Sequence, residues 1–254
     1  MAARSPFDLA GRTALVTGAN TGIGQGIALA LAQAGARVVA AGRSGMDETL
    51  ALIAEAGGTG HALQIDLQKT SIAERVIEQA SELAGPLDIL VNNAGIIRRA
   101  DALDFSESDW DEVMNVNLKA NFFLAQAFAK AALGAGRTGR IVNIASLLSF
   151  QGGIRVASYT ASKSGLAGLT KLLACEWAHR GINVNAIAPG YVESNNTEAL
   201  RADADRNSAI LARIPAGRWG KPSDIGGAAV FLASDAAAYM HGAVIPVDGG
   251  WLAR

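Results

Sequence analysis

The chain has 254 residues, half of them hydrophobic, with 29 glycines, one cysteine and 22 basic residues against 23 acidic ones, a formal net charge of -1. No Lys/Arg stripe is present to neutralise a phosphate backbone, and no run of about 18 apolar residues could cross a bilayer, so neither nucleic acid nor a membrane is an expected partner. The N-terminal MAARSPFDLAGR lacks the apolar core of a secretory signal, which makes the cytoplasm the expected compartment.

In chain order, short β-branched runs alternate with longer alanine- and leucine-rich ones, and no linker or repeat divides them. The strand candidates are residues 12–17, 36–41, 61–65, 88–91, 140–145, 182–188 and 243–247. Parallel strands need long crossovers and, covered on both faces, read as nearly continuous apolar runs. The pattern predicts an α/β chain, residues 1–254 as a single domain: a Rossmann-like, doubly wound parallel sheet of about seven strands with helices on both faces. One stretch breaks the rhythm. Residues 191–221, after the sixth strand, are polar and are expected to form a lid, because long excursions beyond strand carboxyl ends commonly bind ligands. Cys175 has no partner for an intrachain disulfide and, within the apolar stretch LTKLLACEWA, is expected to be a buried structural thiol. No metal site is expected.

The first strand runs into TGANTGIG, where Gly18, Gly22 and Gly24 open a helix. Bare backbone there lets a pyrophosphate approach the helix N-terminus, whose free N–H groups and dipole favour an anion. The second strand ends in AAGRS, which puts Gly42, Arg43 and Ser44 where a carboxylate would otherwise receive the adenosine ribose. A 2′-phosphate wants a cation and rejects a carboxylate, so the cofactor is NADP or NAD with a lean to NADP; a plain surface role for Arg43 is the competing reading. Further on, Tyr159 and Lys163 stand four residues apart in YTASK, on one face of a helix. The ammonium beneath the phenol is expected to lower its pKa from about 10 and make it a useful acid or base.

Order and spacing of TGANTGIG, NNAG (92–95), NVNL (115–118), Ser146, YTASK and APG (188–190) resemble the short-chain dehydrogenase/reductase family over the whole chain. The resemblance implies an NAD(P)-dependent oxidoreductase acting on CH–OH groups. Its catalytic residues would be Asn117, which holds a proton-relaying water, Ser146, Tyr159 and Lys163. Its cofactor would lie against Gly18, Asn20, Thr21, Gly22, Ile23, Gly24, Arg43, Ser44, Asp66, Leu67, Asn93, Ala94, Gly95, Tyr159, Lys163, Pro189, Gly190, Val192 and Ser194, with Asn92 also on the adenosine side. Taken singly, each catalytic candidate has an ordinary structural explanation; together at this spacing they point to chemistry.

Longer strings, among them NNAGIIRR, RIPAGRWGKPSD and the terminal VDGGWLAR, resemble the sugar-acid branch of the family. This implies a substrate of the 2-deoxygluconate, 2-keto-3-deoxygluconate or gluconate type. Arg98, Arg99 and Arg155 could pair with its carboxylate, or form surface or interface ion pairs. Substrate contacts are expected from Arg98, Ser146, Gln151, Arg155 and Tyr159, with Asn195 and Asn196 as hydroxyl partners in the lid. Trp219 is expected to pack the lid down and Trp251 and Leu252 to be covered; relatives imply a homotetramer. A reductase of 3-oxoacyl thioesters shares every catalytic residue and is the nearer alternative. A catalytically silent nucleotide-binding module is the other.

Overall fold

A computed structural model describes residues 5–254. Its sheet contains β1 (Thr13–Thr17), β2 (Arg37–Gly42), β3 (Thr59–Gln64), β4 (Ile89–Asn92), β5 (Gly139–Ile144), β6 (Ile182–Pro189) and β7 (Val244–Val247), in the order β3-β2-β1-β4-β5-β6-β7 with every pairing parallel. The expected strands are all present. β3 starts two residues earlier than its β-branched pattern suggests, at Thr59, because Gly60 slips beneath Leu50 and Ile53, where a Cβ would lie 2.9 Å from Leu50 Cδ2.

Alternate residues of the central strands feed two cores. Val16, Val38, Val91 and Val142 meet α1 (Gly22–Gln33), α2 (Asp47–Glu55) and α9 (Pro222–Ala233) on one face. Leu15, Val39, Leu90 and Ile141 meet α3 (Ala73–Ala84), α5 (Ala120–Gly134) and the end of α6 (Ala157–Trp177) on the other. All five residues of β1 are buried, as expected of a strand covered on both sides. The order in which strands are added reverses at the β1–β4 pair, so the loops beyond their carboxyl ends part and leave a crevice.

One departure concerns a helix. Cys175 is exposed, not buried: Leu166, Thr170, Leu173 and Ala174 form the inward stripe of α6, and the next residue is rotated about 100° away from it. The 191–221 excursion carries two short helices, α7 (Glu198–Ala202) and α8 (Ala204–Arg213). Neither has a buried residue, so both sit on the surface of the fold. No helix among the described residues is long and apolar enough to cross a membrane.

Candidate active site

The crevice is a cavity of about 400 Å³ reaching from the glycine loop to the ends of β5 and β6. At one end, Gly18 adopts φ 65°, and a Cβ there would fall 2.9 Å from the Ala94 backbone. A Cβ on Gly24 would meet the Gly18 carbonyl oxygen at 2.1 Å, so this turn admits glycine alone. The NNAG turn grips it. Asn93 donates its amide to the carbonyls of Thr17 and Gly18 at 2.9 and 3.0 Å, while the Thr17 hydroxyl accepts from the N–H groups of Asn93 and Ala94 at 3.1 and 3.0 Å. The helix that follows starts without a side-chain cap, although its N-cap position is Thr21. Uncapped first-turn N–H groups behind glycines that leave no room for a Cβ suit a pyrophosphate.

Apart from Asn92, every residue expected at the cofactor lines this cavity, from Gly18 and the rest of the glycine loop to Val192 and Ser194. Asn92, by contrast, is buried beneath it, donating to Asn143 Oδ1 at 3.0 Å and the Asn121 carbonyl at 3.3 Å. At the end of β2, Gly42, Arg43 and Ser44 all face the cavity, and Ser44 accepts a hydrogen bond from Asn20 at 2.9 Å. The Arg43 side chain forms no ion pair among the described residues, in contrast to Arg98 and Arg155.

At the other end the side chains of Ser146, Tyr159 and Lys163 converge. Ser146 follows β5 and caps the short turn Leu147–Ser149, accepting the Leu148 N–H at 3.2 Å. Its hydroxyl also bonds the Tyr159 phenol, favouring the ionised form, and the nearby Arg99 guanidinium acts in the same direction. Burial outweighs both and holds the phenol above its ordinary pKa. The Lys163 ammonium lies 5.6 Å from the Tyr159 ring centroid and donates to the Ile144 carbonyl at 2.6 Å. Desolvation lowers its pKa to about 8. The phenol is therefore not made acidic by its helical neighbour, as the spacing alone suggests. Spacing gives a direction of attraction but not the cost of removing water from both groups.

Asn117 sits in a π-turn, Asn115–Lys119, that joins α4 (Glu107–Met114) to α5. Its side chain is fully engaged: Oδ1 accepts the Ile96 N–H at 2.8 Å, and Nδ2 donates to the Ile96 carbonyl at 2.9 Å and to Ser162 Oγ at 3.3 Å. Asn117 thus clamps the loop after NNAG beside Lys163, and Gly95 leaves the gap between them. A single π-turn in an otherwise α-helical run is a frequent mark of a functional site.

The substrate-side residues divide differently. Arg98 is held by Glu112 at 2.7 Å and Asp109 at 3.4 Å, and Arg155, at φ 64°, reaches Asp101 at 3.3 Å. Gln151 accepts the Trp251 indole N–H at 3.2 Å. None of the three lines the cavity, whereas Ser146, Tyr159 and Asn195 do; the Asn196 side chain lies outside the described part of the structure. Arg99 is the arginine close enough to Tyr159 to act on its charge. Among residues missed from the pattern, Thr197 also borders the cavity, binding the carbonyls of Val192 and Ser194 through its hydroxyl. The Ser-x-x-Thr spacing from Ser194 is a capping signal that could have found it.

A parallel sheet with an anion-ready glycine turn at one end of its crevice and a Ser–Tyr–Lys cluster at the other defines a nicotinamide-dependent oxidoreductase. The chain belongs to the short-chain dehydrogenase/reductase family. A family profile described as enoyl-(acyl carrier protein) reductase matches residues 18–252. The chain is 56 % identical over 250 residues to a 2-dehydro-3-deoxy-D-gluconate 5-dehydrogenase of Escherichia coli K12, covering 98 % of this chain and 99 % of that one. A protein of Agrobacterium tumefaciens crystallised with bound NADP is 67 % identical, with a TM-score of 0.95 over 99 % of this chain and 100 % of its own. A gluconate 5-dehydrogenase from Burkholderia cenocepacia, solved with NADP and tartrate, is 38 % identical at a TM-score of 0.92 over 98 % of both chains.

Proposed function

We propose that this enzyme interconverts a secondary alcohol and a ketone on a small sugar acid of the 2-deoxygluconate, 2-keto-3-deoxygluconate or gluconate type, using NADP in preference to NAD. The observation that carries the reading is the convergence of Ser146, Tyr159 and Lys163 on the cavity that also contains the glycine turn. The nicotinamide supplies or accepts the hydride when bound. Tyr159 gives a proton to the ketone oxygen, or takes one from the alcohol, and Ser146 donates a hydrogen bond to that oxygen where negative charge develops. The Lys163 ammonium beneath the ring stabilises the tyrosinate left when Tyr159 gives its proton to the ketone oxygen, and Asn117 holds the Ile96 loop beside them. Arg99, whose charge acts on the Tyr159 phenol, is the arginine assigned to the substrate carboxylate.

The preference for NADP rests on Gly42, Arg43 and Ser44, which offer a cation and a hydroxyl and no carboxylate. Residues 191–221 serve as the substrate lid. Cytoplasmic residence and a homotetramer complete the reading; apolar side chains exposed on adjacent helices, such as Trp110, Phe123 and Leu172, support self-association. The test is turnover by purified protein with NAD and NADP separately, against deoxygluconate, gluconate, ketodeoxygluconate and an acetoacetyl thioester. Rates on a sugar acid far above those on the thioester are expected. The reverse order would make the protein a 3-oxoacyl thioester reductase, and no turnover of any of them would favour a silent nucleotide-binding module.

A further inference from the structure

The lid helix α8 has no buried residue, so it cannot be held in place by a core of its own. What holds it is a set of specific contacts, and most of them lead to the last four residues of the chain. Arg254 donates to the carbonyls of Ala212 and Arg213 at 2.7 and 3.2 Å, capping the carboxyl end of α8 where a cation is favoured. The Arg213 guanidinium lies over the Trp251 ring at 4.0 Å, and Trp251, only 4 % exposed, packs with Ile214, Ile210 and Leu147. From the other side of the helix, Asn207 accepts the Trp219 indole N–H at 2.7 Å.

The same tail reaches the catalytic loop. Trp251 donates its indole N–H to Gln151, five residues beyond Ser146, and Leu147 belongs to its apolar cluster. Tyr191, at the start of the lid, stacks between Trp251 and Trp219 with ring centroids at 4.6 and 5.5 Å. The tail is itself rigid. Asp248 accepts the N–H groups of Gly250 and Leu252, both at 2.9 Å, and Gly249 accepts from Ala216 at 3.0 Å. Gly249 and Gly250 adopt φ 65° and 89°, which turns the chain back under α8. Arg206 of α8 lies within charge range of Arg99, and Arg99 within range of Tyr159, which puts α8 on the phenol's side of the crevice.

We propose that residues 251–254 form a latch that fixes the resting position of α8 beside the Ser146–Tyr159 end of the crevice, with Trp251 and Arg254 as positioning residues for substrate binding. The proposal rests on the sugar-acid reading only for the identity of the ligand. No residue of α8 or of the tail lines the cofactor cavity, so loosening the latch should spare the dinucleotide.

Arg254→Ala is the decisive variant, because Arg254 is exposed and its loss leaves no hole in the core. Backbone hydrogen exchange over residues 204–213 should quicken by about 10-fold, the size of effect expected for a helix end that loses its cationic cap, while Tm stays within about 2 °C. With the favoured sugar acid, KM should rise by about 3- to 10-fold, with kcat and NADP affinity within about twofold of the parent. Arg254→Lys, which keeps the charge but not the paired donors, should recover part of the exchange protection. Trp251→Phe keeps the ring against Arg213 and Tyr191, loses the bond to Gln151, and should raise KM with exchange near normal. Exchange over α8 unchanged in Arg254→Ala would overturn the latch, as would a fall in kcat with KM unchanged. Because exchange is read without substrate, it decides the latch even if no sugar acid is turned over, and an unchanged exchange rate leaves the substrate assignment intact.

Discussion

Lys163→Met should make the protein more stable and nearly inactive. The ammonium is 3 % exposed, and its hydrogen bond to the Ile144 carbonyl does not repay its lost hydration, so its pKa is lowered from 10.5 to about 8. At neutral pH a shift of that size corresponds to about 3 kcal/mol of unfavourable burial. Methionine removes the charge but also the bond to Ile144, a loss of about 1 kcal/mol, leaving a net gain of about 2 kcal/mol at pH 7. The sign with pH follows from proton counting. Between about pH 8 and 10.5 the unfolded lysine binds more protons than the folded one, so the parent gains stability as pH rises and the variant does not. Denaturant unfolding of both proteins should show the variant's advantage shrinking by about 2 kcal/mol between pH 7 and 9.5. A variant less stable than the parent at pH 7, or an advantage that does not change with pH, would refute the argument. Activity supplies the second arm: kcat/KM of the parent should fall above about pH 8 as Lys163 loses its proton, and the variant should lose at least about 100-fold throughout.

Tyr159→Phe removes the proton-transfer group but leaves the ring and its packing, so kcat should fall by about 100-fold or more while NADP binding, followed by fluorescence titration, is unchanged. Normal turnover in that variant would displace Tyr159 from the mechanism. Arg43→Ala should weaken NADP selectively, by about 10-fold in Kd, with NAD little affected; equal losses for both cofactors would remove Arg43 from the phosphate site.

The legible and illegible parts of the site separate along one physical line. The glycine turn could be read because its requirement is local: only glycine tolerates the contact of 2.1 Å between a Cβ at position 24 and the Gly18 carbonyl, and the next helix begins at once. The strands were equally legible to within a residue, since burial on both faces leaves a continuous apolar run, and the one boundary displaced by two residues falls beside Gly60, a residue whose reason for being there is in α2. The catalytic cluster depends on a helical spacing and a strand end, and both survive translation into three dimensions. Its electrostatics did not follow, because the Tyr159 phenol responds first to lost solvent, which four residues of spacing cannot reveal.

The arginines show where local reading fails altogether. Arg98 and Arg99 are adjacent in sequence and chemically identical, yet one is captured by Asp109 and Glu112 on α4 and the other acts on the phenol. Backbone direction in the loop after NNAG decides between them, and that direction is set by the Asn117 amide gripping both backbone groups of Ile96 from a π-turn more than twenty residues away. The same holds for Gln151, which meets Trp251 rather than the cavity, and for α8, whose contacts run to the tail at Trp251 and Arg254. The residues that line the cavity are the ones whose motifs and spacing could be read. The contacts that hold their neighbours still join parts of the chain far apart in sequence, so for that part of the site the contacts have to be seen.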